Sequence, residues 1–327
     1  MDDGINSYND LHATEADNRN SNYKALVNAY YDLATVFYEW GWGASFHFHA
    51  TFPFESFWEG TRRHEYQLAA KLNVTRKAHI LDVGCGIGGP MRNIARFLEC
   101  KVTGITLNPY QVDRGNEITA ADPTVSDKCT SVCGDFMELP FEKESFDGAY
   151  AIEATCHAPD RVGCYKNIYD VLKPGAHFAL YEWCVTDKFD PNNEEHQKLK
   201  KDIEIGNGLP DLATREECLA AMEKAGFTIL DEYDSCEGYE DKGLAKPWMT
   251  PLLPSWNPLS QRFQFNWLGA IITNVAIRTM ELLYLAPKGT VKTQKALQAG
   301  GFALRDAGLE KIFTVAYVMV GQKPAKK

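Results

Sequence analysis

The sequence predicts an α/β fold in which a parallel β-sheet is covered by helices on both faces. Strand-like and helix-like apolar patterns alternate along most of the chain, as expected for βαβ units. The first strand also runs directly into a glycine-rich turn and a helix, at 79–98. With 327 residues, of which 45% are hydrophobic, the chain is large enough to bury a substantial core. Ligands of such folds bind at the carboxyl edge of the sheet.

Each predicted element follows from a local pattern. The strand 79–83 is a short apolar run, and the helix 90–98 begins at Pro90 and repeats apolar residues every three to four positions. The same criteria give strands at 101–107, 129–133, 146–152, 177–182 and 227–234, and helices at 110–121, 161–172 and 214–225. A helical stretch, 262–286, and a last strand, 313–320, follow. The last strand is expected to join the same sheet, so that 235–311 is an insertion.

Composition argues against several classes of function. A formal charge of −10 disfavours nucleic acid as a partner, because phosphate binding requires clustered Lys and Arg. The nine cysteines are scattered and form no CxxC pair, which predicts reduced, mostly buried thiols and no metal site. The acidic N-terminus has no signal-peptide segment. The longest apolar run, 267–277, is well short of the roughly 20 residues that span a bilayer.

The glycine-rich turn predicts a cofactor site. Gly84, Gly86 and Gly88 allow a tight turn and the close approach of a ligand to bare backbone, and a side chain at Gly84 is expected to fill space that the ligand needs. Asp82, just before the glycines, would repel a pyrophosphate and attract an ammonium or sulfonium group. This spacing argues against a dinucleotide. It resembles the cofactor loop of class I methyltransferases that use S-adenosylmethionine (SAM), which have a Rossmann-like sheet.

Polar residues after the next two strands extend this site. Asn108 and Gln111 follow the second strand and are candidates for the ribose hydroxyls, although each suits a helix cap or an exposed position equally well. Asp135, after the third strand, is placed to accept from the adenine amino group, and Phe136 to flank the ring. These roles are expected if the first loop holds SAM.

The fourth strand, 146–152, is followed by two titratable residues. Glu153 and His157 lie at the predicted carboxyl edge, where they would face the same site. Glu153 is the first candidate for a carboxylate that acts on the substrate. The alternative is that Glu153 accepts a hydrogen bond from the amino acid part of SAM or from a backbone N–H.

Aromatic residues crowd the segment before the first strand. They are Tyr38, Trp40, Trp42, Phe46 and Phe48, with Glu39 and His47 as titratable groups among them. A hydrophobic core is the usual explanation of such a stripe. Gly41 and Gly43, however, break the helical spacing and indicate a loop that presents rings to a pocket. Such a pocket suits a cationic substrate or intermediate.

Several blocks of the chain resemble the signature blocks of sterol 24-C-methyltransferases. They are YEWGWG at 38–43, SFHF at 45–48, LDVGCGIGGP at 81–90, IEATCHAP at 152–159 and EIGNGLP at 204–210. The resemblance extends from about residue 23 to the end of the chain. With it, the chain is expected to comprise a polar arm, 1–22, an aromatic substrate or lid segment, 23–75, a SAM-binding core, 76–234, and a C-terminal sterol methyltransferase lobe, 235–327.

The resemblance also implies a reaction. The Δ24 double bond of a sterol side chain attacks the methyl group of SAM, the resulting cation undergoes a 1,2-hydride shift, and a proton is lost. The rings expected to stabilise the cation or line the substrate site belong to Tyr38, Trp40, Trp42, Phe46, His47 and Phe48. Glu153 is the first candidate for the carboxylate that stabilises or deprotonates the cation. The candidates that follow it are His157, Glu39 and Glu204.

A sterol substrate implies peripheral contact with membranes or lipid droplets, at the cytosolic face of the endoplasmic reticulum. The segment 246–286 offers Trp248, Trp256, Trp267 and an apolar helix for that contact. The sequence does not specify the preferred sterol, the number of methyl groups added or the oligomeric state. A homo-oligomer is one of the possible states. One alternative is a methyltransferase of another lipid, such as a tocopherol-like phenol or phosphoethanolamine. The other is a catalytically silent lipid-binding relative, which the intact cofactor motif disfavours.

Overall fold

A computed structural model describes residues 23–25, 27–28, 31, 35, 39, 41, 43–286 and 289–326, without the side chains of residues 293 and 296. The predicted polar arm, 1–22, lies outside the described residues, as do Tyr38, Trp40 and Trp42.

The described strands form one seven-stranded sheet in the order β3-β2-β1-β4-β5-β7-β6. The strands are β1 His79–Val83, β2 Lys101–Thr106, β3 Cys129–Cys133, β4 Phe146–Ile152, β5 Leu172–Val185, β6 Thr228–Asp234 and β7 Phe313–Gln322. Strands β1 to β5 pair in parallel, whereas β7 runs antiparallel to β6. The prediction that the last strand joins the sheet is confirmed, and the prediction of a wholly parallel sheet is wrong at this strand.

Eight longer helices accompany these strands in the described part of the chain. They are α1 Phe57–Ala70, α2 Gly89–Leu98, α3 Pro109–Ala120, α4 Arg161–Val171, α5 Glu194–Asn207, α6 Arg215–Ala225, α7 Trp267–Leu282 and α8 Thr290–Leu309. Shorter helical segments are the 3-10 turns Thr155–His157, Thr250–Leu252 and Gln261–Phe265 and the single turn Glu237–Glu240. Among the described helices, none is both long and apolar enough to cross a bilayer.

The core lies on both faces of the sheet. Ile80 packs into one cluster of buried apolar side chains with Met91 and Tyr150, whereas its neighbour Leu81 packs into another with Phe178. Successive residues of a strand point to opposite faces, so the continuous apolar run in β1 supplies both clusters. The nine cysteines are all free, and all except Cys133 are buried, as the sequence predicted.

Three helices, α1, α5 and α8, are absent from the sequence prediction. The buried face of α1 includes His64 and Glu65, and that of α5 includes Glu204 and Asn207. Polar residues on a buried face weaken the apolar periodicity by which such helices are found. The predicted helical stretch 262–286 is interrupted at Asn266, whose side chain caps α7 by accepting from the Gly269 N–H.

The chain divides into two compact units. One holds the described residues up to Gly41, together with Val185–Leu212 and Met249–Phe313. The other holds the described residues within 42–184, 213–248 and 314–327, and thus almost the whole sheet with the glycine-rich turn.

Candidate active site

The turn after β1 brings three glycines into the left-handed region of backbone conformation. The φ angles are 82° at Gly84, 53° at Gly86 and 76° at Gly88. A Cβ at Gly84 would lie 2.3 Å from the Ala154 Cβ, so this glycine is required by packing, and the expectation that a side chain there would simply fill ligand space is wrong. A Cβ at Gly86 would meet only the Phe46 ring, at 3.7 Å. The turn therefore leaves bare backbone at Gly86.

Asp82 presents a buried carboxyl group beside this turn. Tyr150, its register partner on β4, donates its phenolic O–H to Asp82 Oδ2 at 2.8 Å. Burial raises the pKa of Asp82 to about 7, against the lowering effect of the Tyr150 hydrogen bond. A cationic ligand group beside Asp82 would offset the cost of burying its charge. The site thus favours an ammonium or sulfonium group.

The candidate ribose and adenine residues lie at the ends of the next two strands. Asn108 caps α3, because its Oδ1 accepts from the Gln111 N–H at 3.1 Å. Gln111 Oε1 accepts from the Thr106 hydroxyl at 2.8 Å, and both Asn108 and Gln111 are buried. Asp135 accepts from the Met137 N–H at 2.8 Å, and Phe136 packs against the core. The cap at Asn108 is therefore a structural fact, while the contacts of these residues with SAM remain predictions.

Glu153 follows β4 in a strained conformation, with both carboxylate oxygens hydrogen-bonded. Its φ is 53°, which is uncommon for a residue with a Cβ and costs on the order of 1–3 kcal/mol. Oε1 accepts from the Phe48 N–H at 2.8 Å, and Oε2 accepts from Trp183 Nε1 at 2.8 Å. Burial raises the pKa of Glu153 to about 8, although His47 and both hydrogen bonds act in the opposite direction. The predicted catalytic carboxylate is thus held in one orientation by the aromatic segment and by β5.

The His47 ring lies in a buried cluster with Glu65. Its Nε2 is 3.2 Å from Glu65 Oε1, which also accepts from the Ser45 hydroxyl at 2.7 Å. The other oxygen of Glu65 accepts from Asn93 Nδ2 at 2.8 Å. Asn93 lies on α2, so this hydrogen-bond network reaches the helix that follows the glycine-rich turn.

The ligand-type atoms of His47, His64 and Glu153 lie within 4.8 Å of one another. This arrangement alone would suit a metal ion. The Glu153 oxygens, however, already accept two N–H donors, and both ring nitrogens of His47 face protein oxygens. His64 Nε2 is buried without a hydrogen-bond partner among the described residues. The cluster is therefore best described as a hydrogen-bonded group of acids and imidazoles.

Phe48 of the substrate segment is buried, whereas Phe54 and Trp58 of the same segment are exposed. The Phe48 ring lies 6.2 Å from that of Trp183 and 5.4 Å from that of Trp248, measured between centroids. Trp248 is only 3% exposed, so the expectation that it contacts a membrane is wrong. Trp256 and Trp267 are 64% and 67% exposed, as contact with a membrane requires.

The remaining predicted residues are distributed over both units. His157 is buried in the 3-10 turn that follows Glu153. Glu39 and Glu204 belong to the unit that contains α5, where Glu204 accepts from Lys200 Nζ at 2.5 Å and from the Leu212 N–H at 3.0 Å. Burial raises the pKa of Glu204, against the effect of Lys200.

Four residues that support these groups received no role from the sequence, although Glu182 and Trp183 lie in a further block, 181–183, of the family resemblance. They are Glu65, Tyr150, Trp183 and Glu182. Glu182 is fully buried and accepts from the Thr155 and Tyr165 hydroxyls at 2.5 and 2.9 Å and from the Trp183 N–H. A buried acid within the apolar strand β5 is the signal that could have indicated it.

Comparison with solved structures identifies the fold. A cyclopropane synthase of Mycobacterium tuberculosis superposes with a TM-score of 0.67 at 16% identity, covering 91% of this chain and 98% of that one. A geranyl diphosphate C-methyltransferase of Streptomyces coelicolor, in complex with S-adenosyl-L-homocysteine among other ligands, superposes with a TM-score of 0.58 at 17% identity, covering 90% and 97%. Residues 81–180 match the family described as methyltransferase domain. The fold and site define a SAM-dependent methyltransferase of class I.

Sequence relatives narrow this class. Residues 260–325 match the family described as sterol methyltransferase C-terminal. The cycloartenol-C-24-methyltransferase of Arabidopsis thaliana is 47% identical, over 97% of this chain and 92% of its own length. The sterol 24-C-methyltransferase of Saccharomyces cerevisiae is 41% identical, over 94% and 80%. The chain belongs to the sterol 24-C-methyltransferase family.

The cofactor of this class is SAM, and the residues at the turn fit it. Asp82 supplies a buried carboxyl group whose ionised form a cation would stabilise, and Gly86 leaves open backbone at the start of α2. SAM carries both a sulfonium and an ammonium group.

Proposed function

We propose that this enzyme transfers a methyl group from SAM to C24 of a sterol side chain that carries a Δ24 double bond. The similarity to the plant and yeast enzymes, over nearly the whole chain, supports this substrate class. The observation that carries the proposal is Glu153, a buried carboxylate that the aromatic segment holds in place through the Phe48 N–H.

Methylation of an isolated alkene places positive charge on the sterol side chain. When bound, SAM supplies an electrophilic methyl group on its sulfonium. The alkene is a weak nucleophile, so the protein must exclude water, align the reactants and stabilise the charge that develops. In the sterol, C24 gains the methyl group, a hydride shifts from C24 to C25, and loss of a proton leaves a new double bond.

Glu153 is the carboxylate proposed to stabilise that positive charge. Its two N–H donors fix the orientation of the oxygens and favour the ionised form, which an electrostatic role requires, whereas burial raises the pKa of Glu153 to about 8. The low polarity of its buried surroundings strengthens the interaction with a cation. Glu153 is also the first candidate for the base that removes the proton, followed by His157, Glu39 and Glu204.

Aromatic rings of the segment 38–48 are proposed to complete the substrate site. Phe46, a member of this segment, lies beside the open backbone at Gly86 of the proposed cofactor turn. Its ring face, with those of Tyr38, Trp40 and Trp42, would stabilise a cation without reacting with it. His47 and Phe48 are then the polar and apolar parts of the wall around Glu153.

Asp82, Gly84, Gly86 and Gly88 are proposed to hold the amino acid part of SAM. The Asp82 carboxylate would attract the positive charge of SAM, and the glycines leave backbone that the ligand can approach without meeting a side chain. Asn108 and Gln111 are proposed for the ribose, and Asp135 and Phe136 for the adenine, at the ends of β2 and β3.

Helix α7 is proposed to rest on a lipid surface. Trp267, Ile271 and Val275 are spaced four residues apart on one side of α7, and all three are exposed. Further exposed apolar side chains on and just after α7 are Leu268, Ile272, Met280, Leu282, Leu283, Tyr284 and Leu285. An exposed apolar surface of this extent with Trp and Tyr at its ends is typical of a helix that lies in the membrane interface. It would give the enzyme access to a substrate that is nearly insoluble in water.

The test is a comparison of acceptors with purified enzyme and methyl-labelled SAM. We expect label in a Δ24 sterol and none in the same sterol with a saturated side chain, because only the alkene can attack. Transfer to a phenol or to phosphoethanolamine instead would contradict the proposal.

A further inference from the structure

Glu65 is a fully buried residue of α1 that belongs to neither the proposed cofactor set nor the substrate set. Its carboxylate accepts from the Ser45 hydroxyl at 2.7 Å and from Asn93 Nδ2 at 2.8 Å, and it lies 3.2 Å from His47 Nε2. The Glu65 carboxyl oxygens therefore face donors from three residues, and His47 is the titratable one among them.

Both ring nitrogens of His47 face oxygen atoms that accept. Nδ1 lies 3.1 Å from the Phe48 carbonyl oxygen, and Nε2 faces the Glu65 carboxylate. Only the imidazolium form has an N–H at both positions. Burial alone would lower the pKa of His47, but the hydrogen bond and charge of Glu65 raise it above the ordinary value.

His47 in turn is the positive group beside Glu153. Ligand-type atoms of the two side chains lie within 4.8 Å, and the charge of His47 opposes the effect of burial on the Glu153 carboxyl. We propose that Glu65 is a positioning residue that keeps His47 protonated, so that Glu153 is ionised when positive charge develops on the substrate. This inference rests on the proposed function, which gives the Glu153 charge its purpose.

The other titratable groups around His47 include two histidines that stay neutral. Burial, together with the charge of His47, lowers the pKa of His49 to about 3 and that of His64 well below its ordinary value, so both are neutral. Arg63 on α1 adds to both effects. Glu65 also helps to raise the pKa of Asp82 on β1. Glu182 on β5 interacts with Arg161, and the two form a separate buried acid–base pair. None of these groups can replace Glu65 as the partner of His47.

The first test does not depend on activity. In an NMR titration, with the ring signals assigned by comparison with a His47→Gln variant, we expect wild-type His47 to titrate above the ordinary histidine range. In Glu65→Gln it should titrate below wild type, because the amide carries no charge. A wild-type His47 ring that is neutral at neutral pH would overturn the inference, even if Glu65→Gln failed to fold. Absence of sterol methylation by wild type would instead reject the proposed function.

The second test is a double-mutant cycle with Glu65→Gln, His47→Gln and the combination. Near neutral pH, Glu65→Gln should lower kcat/KM about tenfold, because raising the pKa of Glu153 by about one unit leaves about tenfold less of its ionised form. The loss should shrink at higher pH, where Glu153 is ionised in both proteins. In the His47→Gln background, the Glu65 substitution should change nothing further. An equal, pH-independent loss in both backgrounds would mean a purely structural role and overturn the inference. Glu138→Gln, at an exposed glutamate, is the matched control.

Discussion

Trp183 donates its indole N–H to Glu153 at 2.8 Å, and the buried Phe48 ring lies 6.2 Å from the Trp183 ring and 5.4 Å from that of Trp248. A hydrogen bond to a carboxylate stabilises the ionised form. We therefore expect Trp183→Phe to raise the pKa of Glu153 above its value of about 8. Because the ionised form predominates above the pKa, the acidic limb of the kcat/KM profile should move to higher pH. Trp248→Phe shrinks the same cluster but keeps the donor, and an equal shift in that control would contradict this explanation.

Substitution of Glu153 by Gln should leave SAM binding within a fewfold of wild type and lower turnover by about 10²–10³, as for other well-placed electrostatic groups. The amide nearly matches the carboxylate in shape but offers no charge to the cation, and its NH2 group can no longer accept from one of the two N–H donors. Calorimetric titration with SAM and single-turnover kinetics separate the two effects. Near-normal turnover would move the role to His157 or another group, and loss of SAM binding would mean that Glu153 contacts the cofactor.

Asp82→Asn should weaken SAM binding at least tenfold, because it removes the buried charge proposed to pair with a cation, while Tyr150 can still donate to the amide oxygen. Isothermal titration calorimetry measures the change, with the exposed Asp113→Asn as the control. Gly86→Val should also block binding, since its Cβ would enter open space rather than protein; because a φ of 53° strains a residue with a Cβ, thermal unfolding must first show that this variant folds. Gly84→Val is not a clean test, because its Cβ would collide with Ala154. Unchanged affinity in both Asp82→Asn and Gly86→Val would reject the cofactor site.

A double variant of α7, Ile271→Ser with Val275→Ser, should reduce flotation of the enzyme with sterol-containing liposomes severalfold. The binding depends on buried apolar area, so moderate salt should have little effect on it. Leu230→Ser, at an exposed apolar residue of β6, is the matched control. Flotation that is lost in moderate salt, or that is unaffected by the double variant, would place the membrane contact elsewhere or give it a different physical basis.

The sequence predicted the features that depend on neighbours in the chain. The strand at 79–83 and the glycine turn were identified because apolar runs and glycines act locally. The supporting contacts join distant residues: 68 positions separate Tyr150 from Asp82, and 30 separate Trp183 from Glu153. Strand register and packing bring such pairs together, and neither can be read from local patterns in a single sequence. Trp248 was expected at the surface for the same reason, since its burial depends on Phe48.

The position of the transferred methyl group shows whether the enzyme methylates C24 of a sterol. Enzyme, a Δ24 sterol and SAM with a carbon-13 methyl group are incubated, and the product is examined by NMR. We expect a carbon–carbon bond between the labelled carbon and C24 of the side chain, with the original Δ24 double bond consumed. Label bonded to oxygen or nitrogen, at another carbon, or absent from the sterol would contradict it.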